Sequence, residues 1–122
     1  MKTLDAERTQ ALERLCELIV PGSSRVGPAV YVDALIARMP PELQAIAAAS
    51  IDELAAAATS AEALAEHERS AAFAFVRALA IEAYYSDFVA PGAEGPGAWT
   101  EVDFNTPLAT RLAKDWSYLG IA

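Results

Sequence analysis

Few residues in this chain are of types that do chemistry. The single histidine, His67, lies among Glu66, Glu68 and Arg69. A lone imidazole in that setting reads as a surface side chain, since a catalytic base needs a positioned partner. The single cysteine, Cys16, falls on an apolar stripe between Glu13 and Glu17. A reactive thiolate wants a basic neighbourhood, so Cys16 reads as a small core hydrophobe. One Cys and one His do not make a zinc site, and one Cys makes no internal disulfide. Two carboxylates draw the eye as acid or base: Asp33, beside the Val32–Leu35–Ile36 stripe, and Asp87, at the end of a long helical pattern. Helix ends and loop starts are ordinary places for Asp. Neither has a second group nearby that completes a site. Gly92, Gly95 and Gly97 form no dinucleotide or phosphate loop. The expectation is a chain with no catalytic, cofactor-binding or metal-binding residues of its own.

The aromatic residues carry more. Seven of the ten lie from position 84 onward: Tyr84, Tyr85, Phe88, Trp99, Phe104, Trp116 and Tyr118. Residues 88–107 also hold three Gly and three Pro, so regular helix packing does not absorb all of these rings. Either the rings fill gaps between helices or some of them anchor a partner protein, a common role for Trp and Tyr. Tyr84, Tyr85, Phe88, Trp99, Phe104 and Tyr118 are the candidate partner-binding residues. Trp116 continues the spacing of Leu108 and Leu112 and reads as packing on its own domain.

The elements that position these residues are helical. Thr3 is a candidate cap for a first helix with Leu12, Leu15, Cys16 and Ile19 as its buried stripe. Pro21-Gly22 ends it. Pro28 opens a second helix with Val32, Leu35, Ile36 and Met39 inward. Val30-Tyr31-Val32 is strand-like locally, but the longer helical period prevails. After Pro40-Pro41 a third helix carries Leu43, Ile46, Ala47, Ser50, Ile51 and Leu54. Thr59-Ser60-Ala61-Glu62 reads as a capping box that opens a fourth segment running from Ser60 to Tyr85. Pro107 opens a last short helix. The fold expected is all-α: a single bundle of four to five helices over residues 1–122, with a helical core at 1–86 and an irregular aromatic tail with a short terminal helix at 87–122.

Composition agrees with this reading. Hydrophobic residues make up 54% of the 122 and charged residues 21%, too apolar for a disordered chain. The longest apolar run, Ala71 to Val76, is far short of the roughly 20 residues of a membrane helix. The first residues are charged where a signal peptide is apolar, which leads to the expectation of a cytoplasmic protein. Seventeen Asp and Glu against nine Lys and Arg give a net charge of -8. An acidic surface repels phosphates, so nucleic acid is a poor partner.

Three stretches together resemble the gluconate 2-dehydrogenase subunit 3 family. They are Leu18-Ile19-Val20-Pro21-Gly22, then Gly27-Pro28-Ala29-Val30-Tyr31-Val32-Asp33-Ala34-Leu35, and a tail. The tail begins Glu82-Ala83-Tyr84-Tyr85-Ser86-Asp87 and closes Trp116-Ser117-Tyr118-Leu119-Gly120-Ile121. Gly27-Pro28-Ala29 stands where the family prefers Pro-Gly-Ala, and the segment between Asp87 and Trp116 lacks the usual Gly-Gly. The resemblance implies a non-catalytic small subunit. Its partner would be a large flavoprotein of the glucose-methanol-choline type, which holds FAD and oxidises a sugar or alcohol CH–OH group. It implies a hetero-oligomer with FAD in the partner only. Members also support export of the partner, a role without its signal here. The rival readings are a small all-helical enzyme of cyclase or isomerase type and a helical ligand-binding module.

Overall fold

Helix-stop and helix-start residues punctuate the chain at short intervals, and a computed structural model shows five helices between them. It describes residues 3–93, 97–98 and 119–120. The elements are α1 (Ala6–Ile19), a 3-10 turn (Ser23–Val26), α2 (Pro28–Ala37), α3 (Pro41–Ala55), α4 (Ala61–Ala65) and α5 (Ala71–Tyr85). Over the described residues the expected all-α bundle is what forms. The terminal helix expected from Pro107 lies outside the described residues.

Asp5, and not Thr3, caps α1: its carboxylate accepts the Arg8 N–H at 2.8 Å. Both residues are good caps by type. Ahead of the helix the Thr3 and Leu4 N–H groups donate to Asp33, 30 and 29 positions away, which holds this segment against α2. The helix ends where Val20 N–H donates to the Cys16 carbonyl, and Gly22 follows in the left-handed region at φ 88°. Pro28 stands at the start of α2, as expected.

The long fourth segment expected from Ser60 to Tyr85 is two helices. Ser60 caps α4 by accepting the Ala63 N–H, so the cap is one residue later than a box built on Thr59. The second break has a local cause. Ser70 adopts extended backbone at ψ 153° and its hydroxyl accepts the Phe73 N–H, starting α5 afresh. The turn between them, around His67, is polar and makes its own short-range backbone bonds.

α3 packs against both α1 and α5, and α2 closes against α1 and α5. Leu12, Leu15 and Cys16 of α1, Val32 and Ile36 of α2, Ala47, Ile51 and Leu54 of α3, and Val76, Ala80 and Ala83 of α5 fill the centre. On α3 the expected stripe is only partly right. Ala47, Ser50, Ile51 and Leu54 are buried, whereas Leu43 and Ile46 are 40% and 49% exposed. Arg8 forks onto Asp52 at 2.9 and 2.8 Å, tying α1 to α3 on the surface.

The chain beyond α5 folds back on the 3-10 turn. Ala90 N–H donates to the Val26 carbonyl at 2.8 Å. Gly27 makes that approach possible: at φ 67° it is left-handed, and a Cβ there would sit 2.8 Å from the Ala90 Cβ. Val20, Val26, Tyr84 and Ala98 form a second small core at this junction.

Candidate functional site

The two aspartates that drew attention in the sequence are both buried, and Asp33 serves the backbone. Asp33 is 2% exposed. One of its oxygens accepts the N–H groups of Thr3 and Leu4 at 2.9 and 2.8 Å, clamping the N-terminal segment onto α2. Asp87 follows Ser86, the C-cap of α5, and adopts φ 66°, the left-handed conformation with which many helices end. Gly97 lies against it, and a Cβ at Gly97 would overlap the Asp87 carboxylate.

Two carboxylates that sequence reasoning passed over have the same kind of role. Glu17 of α1 accepts Gly22 N–H at 2.6 Å, Ser24 O–H at 2.6 Å and Ser24 N–H at 3.1 Å. Glu13, one turn earlier, accepts Ala29 N–H at 3.1 Å in the first turn of α2, whose cap Gly27 has no side chain to do so. One face of α1 thus holds both ends of the connection to α2. The available signal was the four-residue spacing of Glu13 and Glu17 just before a Pro-Gly stop. With Arg14, Leu18, Ser24 and Ala58 they line a shallow cleft of about 390 Å³.

The environments of this pair act in opposite directions. Burial, opposed by the Ala29 hydrogen bond and aided by the Glu17 charge, raises the Glu13 pKa. The Gly22 and Ser24 hydrogen bonds lower that of Glu17. A raised carboxyl pKa favours the protonated fold, so ionised Glu13 opposes folding above the ordinary carboxylate range. A lowered one means that Glu17 stabilises the fold above that range and loses its contribution as pH falls through its folded value. Glu13→Gln is therefore expected to stabilise the chain at pH 7, and Glu17→Gln to destabilise it. Each change should be about 0.5–1 kcal/mol, because both groups are part-exposed and screened. Thermal unfolding at pH 7 and pH 3 checks this: both differences from wild type should shrink at the lower pH.

Cys16 is buried, and burial together with the Glu13 charge pushes its thiol up to about 12. Its carbonyl accepts the Ser23 hydroxyl. It is a core residue. His67 is part-exposed in the turn between α4 and α5. Among the described residues no group of three His, Cys, Asp or Glu is placed to hold a metal ion. No helix there is long and apolar enough to cross a membrane.

The aromatic candidates separate. Tyr84 and Phe88 are each 1% exposed. The Phe88 ring packs on Tyr31 with centroids 5.3 Å apart, and the Tyr84 hydroxyl accepts from Arg25 at 2.9 Å. Both rings belong to this chain's own interior, which is not where a partner meets a ring. Tyr85, edge-on to Tyr84, is 47% exposed. Trp99, Phe104 and Tyr118 lie outside the described residues. Leu43 and Ile46, read as core from the sequence, join Tyr85 as the exposed large apolar side chains among the described residues.

Comparison with protein-family models, with curated proteins and with solved structures found no match.

Proposed function

We propose that this chain is a non-catalytic small subunit that binds and stabilises a large FAD-dependent oxidoreductase. The partner is of the glucose-methanol-choline type and acts on a sugar or alcohol CH–OH group. Two things support the reading: the order of sequence elements from Leu18 to Ile121 described above, and a surface feature. That feature, which carries the argument, is the set of large apolar side chains Leu43, Ile46 and Tyr85 held outward on two helices. Such side chains gain from burial in an association, and mutual burial stabilises both partners by mass action. The cofactor belongs to the flavoprotein, the complex is a hetero-oligomer, and we propose a cytoplasmic location for it.

The test is co-expression with a large flavoprotein encoded beside this chain. The two are expected to copurify with FAD bound to the large subunit, and each to be less stable alone. Separate elution at micromolar concentration, with both fully stable alone, overturns the reading. Turnover of a small molecule by the isolated chain would favour the small-enzyme reading.

A further inference from the structure

We propose that the outward face of α3 is the docking surface, and that it takes a partner protein whose apolar side chains are bordered by lysine or arginine. The inference rests on the accessory-subunit reading and narrows it to one face and one partner chemistry.

Glu42, Ile46, Ala49 and Glu53 recur at i, i+4, i+7 and i+11, which is a single stripe of a helix, and all four are exposed. Leu43 stands beside Ile46, one turn or less away. The stripe therefore has an apolar middle and a carboxylate at each end. Pro41–Ala55 contains no Lys, Arg or His. The helix's remaining carboxylate, Asp52, is already matched by Arg8. Neither Glu42 nor Glu53 forms an ion pair among the described residues.

Charge decides what fits. A second copy laid along this face, parallel or antiparallel, brings carboxylate against carboxylate and opposes its own apolar contact. An anionic bilayer is repelled by the same two groups. A protein surface with apolar anchors and flanking cations satisfies both, with Ile46 at the centre of the contact and the charges at its rim.

The direct probe is a Leu/Lys amphipathic helical peptide and a Leu/Glu peptide of equal length, each titrated into the isotopically labelled full chain. Amide shifts are followed by NMR. The Leu/Lys peptide is expected to move resonances of residues 42–53, and the Leu/Glu peptide to leave them in place. Ile46→Glu should weaken the Leu/Lys peptide by about tenfold or more. The double change Glu42→Lys and Glu53→Lys should reverse the preference between peptides. These positions are exposed, so the variants should keep one cooperative melting transition, lowered slightly by Glu42→Lys because Glu42 stands in the first turn of α3. The proposal is overturned if the Leu/Lys peptide leaves α3 unmoved or if both peptides move it equally. It is also overturned if sedimentation shows a dimer of the lone chain that Ile46→Glu disperses, or if the chain binds phosphatidylglycerol vesicles through α3. The peptide titrations contain no flavoprotein. Failure of the flavoprotein to copurify therefore sinks the accessory-subunit reading alone, whereas a flavoprotein complex indifferent to the α3 variants sinks the docking face alone.

Discussion

Phe88→Ala lowers the stability of the isolated chain by about 3–5 kcal/mol, the usual range for removing a buried phenyl ring. Phe88 opens the segment that the sequence marks as irregular, yet it is among the largest fully buried side chains. Its ring meets Tyr31 of α2 at a tilt of 57°, and its neighbours belong to the main core. Truncation leaves a cavity between α2 and the chain that follows α5 and removes the ring contact to Tyr31. In a domain of this size the loss corresponds to a fall of roughly 10–20 °C in melting temperature. Thermal unfolding of the lone chain reads it directly. Tyr85→Ala, at a half-exposed ring, should change the melting point little. A loss below about 1 kcal/mol for Phe88→Ala would show that this ring contributes little to the core.

Asp33→Ala is expected to cost about 2–4 kcal/mol, because it strands two backbone donors at once. Leu4 is buried, so its N–H finds no easy replacement in water. Asp33→Asn keeps an acceptor oxygen in place and should recover about half of the loss. The pair of variants separates two roles. If Asp33 acted as an acid or base, Asn and Ala would be equally disabling to function. If it clamps the N-terminal segment, stability follows acceptor capacity. Hydrogen exchange at Thr3 and Leu4 should quicken sharply in Asp33→Ala while the middle of α3 stays protected.

The features legible in the sequence are those set by neighbours in the chain. Pro21-Gly22, Pro28 and Pro40-Pro41 mark the ends of α1, α2 and α3 because ring geometry and glycine freedom act locally. The misreadings arise where distant residues decide. Thr3 and Asp5 are equal as caps by type, and the sequence does not show that Asp33 holds the Thr3–Leu4 backbone ahead of the helix. The alanine-rich run through Ser70 favours helix throughout, and one hydroxyl bonded to Phe73 N–H overrides it. On α3, Leu43 and Ile46 fit a stripe with Ser50 and Leu54 as well as Ala47 and Ile51 do. The core takes the stripe led by Ala47, which is fully buried between neighbouring helices. That choice is invisible without α1 and α5 in place. The candidate site follows the same division. The aromatic richness near position 84 is plain in the sequence, but which of those rings face inward depends on Tyr31 and Arg25, more than fifty residues earlier in the chain. Glu13 was missed because its partner, Ala29, is 16 residues distant.

The junction between the 3-10 turn and the end of α5 also orders events in time. Arg25 and Tyr84 meet across 59 residues, whereas the Glu17 bonds that shape the turn span five and seven. Short loops close first, and long ones close only when intervening helices have shortened the search. The receiving surface, α1 with its turn, is thus assembled before the segment that will occupy it arrives. The end of α5 therefore meets a surface that bonds between near neighbours in the chain already shape.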